Sequence, residues 1–240
     1  MARFDISGAA SRVPFETRKL EKDIATESIR RQIEPMARNV PAEIKPQLEE
    51  QVMTTGQPQD PLQLAALKTV DFEARKDATG NVSIYKLPKG DLGGNFEVAG
   101  INDRYHPEAF KRIASLPPEA RAGAAAQYIK EYTAPFVSKL PQPIQPFAQD
   151  LAFNRGMGGA TKYIQQGLNE LGVKVSVDGK LGPKTLEAIN KVQPRALLQA
   201  VSNAQLNDEY ARAKNNPARQ QLLRGLENRI RNRLALFGSV

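Results

Sequence analysis

DPLQLAALKTVDFEARKDATGNVSIYKLPKGDLGGNFEV, residues 60–98, changes its hydrophobic period midway. Asp60 before Pro61 is an N-cap followed by a proline at the first helical position, and Leu64, Ala65, Leu67 and Phe72 mark a helix that runs to about Arg75. Ala78-Thr79-Gly80-Asn81 then supplies turn residues, after which Val82 and Ile84 alternate with Ser83 and Tyr85 as in a strand. Phe96 and Val98 offer a second strand, joined to the first through Pro88-Lys89-Gly90-Asp91-Leu92-Gly93-Gly94. A helix ending near Glu73 and leading into a small hairpin is the local architecture expected.

Working outward, everything from Pro117 reads as helix. Ala125, Ile129, Tyr132 and Phe136 form one apolar stripe, Ile144, Phe147 and Leu151 a second, and Ala160, Ile164, Leu168 and Leu171 a third. Gly182-Pro183 opens a further helix through Leu186 and Ile189. A last one has Leu222, Leu226, Ile230, Leu234 and Phe237 on one side, with Arg224, Arg229, Arg231 and Arg233 elsewhere around it. Toward the amino terminus, Ile24, Ile29 and Ile33 lie about one turn apart among charged residues, and Thr54 to Pro61 has the composition of a linker. The expected fold is mainly α, of the α+β kind: a helical globule with one small β-hairpin and an N-terminal helical extension. The segments are residues 1–60, 61–156 and 157–240.

Composition narrows the chemistry. With no cysteine and a single histidine, His106, thiol nucleophiles, thiolate metal sites and disulfides are excluded, and neither metal nor organic cofactor is expected. Proton transfer then falls to carboxylates, lysines or tyrosines. His106, followed by Pro107, reads as a loop or helix-start residue. No run approaches the roughly 18 to 20 apolar residues of a membrane helix, and Met1 to Phe15 lacks the apolar core of a secretory signal. Formal charge is +8, with the excess at residues 195–240, where eight basic side chains meet three acidic ones. Such a surface suits a polyanionic partner, nucleic acid among them, or simple solvation. Zinc-finger, helix-turn-helix and aromatic–basic patterns are missing, so specific nucleic-acid binding is not expected.

Glycoside cleavage needs a carboxylic acid to protonate the leaving oxygen and, as a rule, a second carboxylate. Glu73, at the end of an apolar helix, has the setting that raises a carboxyl pKa; Asp91, in a glycine-rich turn, has the setting that keeps one ionised. Asp77 and Glu97 are rival second carboxylates.

From about Leu67 to Val240 the chain resembles glycoside hydrolase family 108, lysozyme-like muramidases that pair a catalytic with a peptidoglycan-binding segment. The resemblance rests on Asp150-Leu151-Ala152-Phe153-Asn154-Arg155-Gly156, against D-x-A-V-N-x-G, and on Val177-Asp178-Gly179-Lys180-Leu181-Gly182-Pro183-Lys184-Thr185-Leu186, against V-D-G-x-x-G-P-x-T-L. Tyr128, Tyr132 and Pro135 fall on Y-x-x-x-Y-W-x-P, with Thr133 in place of Trp. The family's E-G-G is here Glu73-Ala74-Arg75, and Asp91-Leu92-Gly93-Gly94 stands for D-P-G-G. Arg75 becomes a potential charge partner that would lower the pKa of Glu73 on contact.

The resemblance implies a lysozyme-like fold and cleavage of the β-1,4 bond between N-acetylmuramic acid and N-acetylglucosamine, with Glu73 as proton donor and Asp91 assisting. Tyr85, Gly93, Gly94, Asn154 and Arg155 are the candidate substrate-binding residues. The alternative is a wall-binding or structural virion protein whose hydrolase segment has decayed. Peptidoglycan is the implied partner, and residues 1–60 are expected to dock on other virion or tail proteins. The expected location is a bacteriophage particle, acting at the bacterial wall, or else the host cytoplasm before holin-mediated release.

Overall fold

The computed structural model describes residues 60–88 and 94–238. The expected N-terminal extension, its linker up to Gln59, and the candidates Asp91 and Gly93 lie outside the described residues. Residues Gln59–Val240 make up one unit.

Helix α1, Pro61–Glu73, starts where the cap chemistry places it: the Asp60 carboxylate accepts the Leu62 N–H at 2.9 Å. It ends when Ala74 turns extended, still donating its N–H to the Val70 carbonyl. The chain then makes β1 (Tyr85–Lys86), β2 (Phe96–Val98) and β3 (Ile101–Asn102), an antiparallel sheet in that order. The expected hairpin is therefore three-stranded, and its first strand begins later than the alternation predicts. Val82 instead bridges Lys76, and Ser83 donates both its N–H and its hydroxyl to the Arg75 carbonyl, so residues 82–84 fold back on the end of α1. Ala99 and Gly100 turn β2 into β3 with φ of 51° and 76°, the two positive values that a tight two-residue hairpin requires.

Six helices follow: α2 (Pro107–Ala114), α3 (Pro118–Val137), α4 (Gln145–Glu170), α5 (Pro183–Ile189), α6 (Pro194–Ala213) and α7 (Pro217–Phe237), with a 3-10 turn at Gln142–Ile144 before α4. Every described α-helix carries a proline in its first turn, where the missing N–H costs nothing. Inside α4 the chain breaks at Gly156 (φ 70°, ψ 158°), so Asn154 and Arg155 sit at the end of one straight segment. None of the described helices is long and apolar enough to cross a membrane.

Two apolar clusters form the core. Val70, Val82, Val98, Ile101, Ile113 and Ile129 gather around the sheet; Phe147, Leu151, Ile164, Leu168, Leu197 and Val201 gather between α4 and α6. Of the predicted stripes, Ala125, Ile129, Phe136, Ile144, Phe147, Leu151, Ala160, Ile164 and Leu168 are buried. Tyr132 and Leu171 are only partly covered, at 37% and 38% exposure, and Thr133 takes the inward place beside Tyr132, its hydroxyl donating to the Ile129 carbonyl at 2.7 Å.

The last helix departs most from expectation. Leu222 is 59% exposed, whereas Arg233 is fully buried and Arg229 nearly so. Part of the basic carboxyl end is thus core, not surface. Arg233 donates to the Gln205 side chain and lies over the Phe147 ring, 4.7 Å from its centroid. Burial lowers its pKa to about 10, which leaves it charged at neutral pH.

Candidate functional site

Glu73 is the last residue of α1, at the point where the helix meets the sheet. Its side chain keeps 24% exposure. Oε1 accepts from Arg229 Nη2 at 2.8 Å and from Asn154 Nδ2 at 3.3 Å, while Oε2 has no partner among the described residues. The structure thus brings two sequence candidates, Glu73 and Asn154, into one hydrogen bond from positions 81 residues apart.

The expected charge partner of Glu73 is corrected. The Arg75 guanidinium lies 3.5 Å above the centroid of the Tyr85 ring, turned to the sheet, and so covers one face of a candidate binding residue. The arginine that meets Glu73 is Arg229 of α7, 156 residues later. Arg229 Nη2 also donates to Asp150 Oδ1 at 2.8 Å, and its guanidinium stacks on Phe72, 4.1 Å from the ring centroid. Asp150 is fully buried; it accepts the Thr69 hydroxyl on the same oxygen at 2.8 Å and turns Oδ2 toward Arg233 Nη1 at 3.5 Å.

This arrangement sets the proton affinity of Glu73. Withdrawal from water raises its pKa above the ordinary 4.5, and the Asp150 carboxylate raises it further. Arg229 and the Asn154 amide oppose the shift without overcoming it. The net direction is upward. Replacing Arg229 with methionine is expected to raise it again. The alkaline limb of any kcat/KM profile that depends on protonated Glu73 should then move to higher pH, measurable as initial rate against pH.

A wall of rings flanks the acid. His106, which starts α2 as the sequence suggests, bonds through Nδ1 to the Tyr128 hydroxyl at 2.8 Å. Its ring centroid lies 5.1 Å from that of Tyr132 and 6.4 Å from that of Phe153. Desolvation lowers the His106 pKa, keeping the imidazole neutral at pH 7. Gly100 closes the gap between this wall and the acid. A Cβ on Gly100 would lie 3.2 Å from Phe153 Cε1 and 3.3 Å from Cβ and Cγ of Glu73, at a φ where side chains are strained. Gly100→Ala is expected to cost about 1–2 kcal/mol, the price of a left-handed alanine. Thermal melting should read that as a drop of roughly 2–8 °C, with any turnover by Glu73 falling further because the acid is pushed aside.

The other candidates are placed as follows. Gly94 (φ 110°) stands where a Cβ would run into Asp103 Oδ1, so glycine there lets Asp103 receive the Asn95 N–H at 2.9 Å. Asp77 is occupied by its own turn, accepting from the Thr79 N–H and hydroxyl and the Asn81 N–H, contacts that lower its pKa. Glu97 lies half-buried on the central strand, opposite Tyr85 and Asn102. Asn154 and Arg155 line a recess of about 350 Å³ with Lys162, Tyr163, Asp208 and Arg212. Arg155 is held there by Glu209 of α6, a buried carboxylate that also binds Arg219 of α7. Asp178 shapes its turn as expected, accepting the Lys180 N–H at 2.9 Å. Among the described residues no group of three or more His, Asp or Glu could hold a metal ion.

Asp150, Arg229 and Arg233 escaped the reading of single residues for chemistry. A helical signal existed for the arginines: at 100° per residue both fall on the flank of the Leu226–Ile230–Phe237 stripe, not opposite it.

Residues 159–231 match the family model described as "Predicted Peptidoglycan domain". No curated protein matches the chain. Among solved structures, that of SagA from Brucella abortus is similar, with a TM-score of 0.52 and 20% identity over 75% of this chain and 96% of that one. The likeness is one of fold. The matched segment supports peptidoglycan as a partner, and α7, which donates Arg229 to Glu73, lies largely within it.

Proposed function

We propose that the chain is a peptidoglycan hydrolase of the muramidase type, in which residues 159–231 hold the polymer and Glu73 protonates the leaving oxygen of the glycosidic bond. One observation carries the reading: a helix-end carboxyl, partly open to solvent, keeps Oε2 unbonded among the described residues while its surroundings raise its affinity for a proton. A general acid must still hold its proton near working pH and must have an oxygen free to deliver it. The ring wall of Phe153, Tyr132 and His106 next to it offers apolar faces on which sugar rings can stack. Asp91 keeps its proposed part as second carboxylate; Asp77, engaged by three donors, is the poorer partner. Release of reducing ends from purified peptidoglycan, compared between wild type and Glu73→Gln, tests the assignment.

The Arg229–Glu73 ion pair favours a second reading, in which the carboxylate serves only as a strut and the protein binds wall without cutting it. Sedimentation with insoluble peptidoglycan without release of reducing ends is the result that reading requires. Carriage in a bacteriophage particle belongs to the same proposal, and mass spectrometry of purified particles is its check.

A further inference from the structure

The peptidoglycan-holding segment has a groove of about 1120 Å³ between the loop that follows α4 and helix α5. Its loop has no regular secondary structure, yet two α4 side chains pin it. Gln165, buried, donates through Nε2 to Asp178 Oδ1 at 2.8 Å and accepts the Gly179 N–H at 2.9 Å. Asn169 both donates to the Val175 carbonyl and accepts the Val175 N–H, each at 2.9 Å. A wall fixed in this way loses little freedom when a ligand arrives.

Four lysines line the groove against two carboxylates. Glu187 is taken by Lys191 at 2.6 Å, and the Asp178 carboxylate is bound by Gln165 and the Lys180 N–H. Lys174, Lys180 and Lys184 are exposed and make no ion pair among the described residues. Between them Val173, Val175 and Ala188 give the lining an apolar component. A cationic rim over a partly apolar floor suits a ligand that carries carboxylates and methyl groups together. The stem peptides of peptidoglycan, rich in alanine and ending in free carboxylates, have that chemistry.

We propose that this groove is the site at which residues 159–231 hold peptidoglycan, Lys174, Lys180 and Lys184 pairing with stem-peptide carboxylates while Val173 and Val175 meet the alanine methyls. The inference rests on the wall-binding half of the proposed function and is independent of whether Glu73 cuts.

The test is co-sedimentation of the full chain with insoluble peptidoglycan. It compares wild type, Lys174→Glu/Lys180→Glu/Lys184→Glu, and a charge-matched control, Lys111→Glu/Lys139→Glu/Lys214→Glu, whose lysines are exposed elsewhere. Thermal melting checks that all three fold alike. Binding by the groove variant is expected to fall at least tenfold, binding by the control to stay within about twofold, and wild-type affinity to weaken with salt. Peptidoglycan stripped of stem peptides by an amidase should bind wild type at least tenfold less. A groove variant that binds like wild type, a control that loses as much, or undiminished binding to the stripped glycan each overturns the assignment. If wild type itself fails to sediment with intact peptidoglycan, the wall-binding reading falls with it.

Discussion

Glu73→Gln is expected to reduce release of reducing ends from peptidoglycan by about 10²–10⁴-fold, the range a positioned general acid contributes. Glutamine keeps the length of the side chain and an oxygen that can accept from Arg229 and Asn154, so the geometry at Oε1 survives while the transferable proton is lost. Folding should not suffer. Because the folded-state pKa of Glu73 is raised, its contribution to stability is fully present in acid, below the ordinary 4.5, and is lost as pH rises through the folded value. A neutral glutamine escapes that loss. At neutral pH the variant should therefore melt no lower than wild type, and its relative advantage should shrink in acid. Activity equal to wild type would remove Glu73 from the chemistry and leave the strut reading in possession.

Asp150→Asn is expected to be the most damaging single change to stability, about 3–5 kcal/mol. Its carboxylate is fully buried and faces Arg229 and Arg233, both withdrawn from water. Asparagine keeps an acceptor for the Thr69 hydroxyl but leaves the fully buried Arg233 without a counter-charge and Arg229 with Glu73 alone. Calorimetry should show a fall in melting temperature of roughly 6–20 °C for a unit of this size. The surviving folded protein carries a second signature. With Asp150 neutral, the like charge that raises the Glu73 pKa is gone, so that pKa falls and the alkaline limb of activity moves to lower pH. That shift is opposite in sign to the one expected for Arg229→Met, and a purely structural role for the cluster would produce neither.

What could be read from the chain follows the range of the interactions involved. The start of α1 was legible because Asp60, Pro61 and Leu62 decide it among themselves. The helical stripes were legible because burial repeats every three to four residues. Strand β1 was misplaced because Val82 and Ser83 alternate like a strand yet spend their bonds on Lys76 and Arg75. Strand β3 is two residues long, too short for alternation to register. Glu73 stood out as an acid at an apolar helix end. Its controlling partners did not, since Asp150 and Arg229 lie 79 residues apart and no local pattern joins them. An arginine at the edge of an apolar stripe reads as a solvated flank until something across the molecule supplies the opposite charge.

The distance along the chain between Glu73 and Arg229 also orders events in time. A ribosome lays down α1, the sheet and the ring wall well before it makes α7, and folding of the early segments can begin while the later ones are still being synthesised. During that interval the carboxylates of Glu73 and Asp150 face each other without the guanidinium that reconciles them. The nascent protein therefore reaches its working charge state only near the completion of α7, and an early-terminated product that kept the ring wall would carry an acid that binds its proton more tightly than the finished site does.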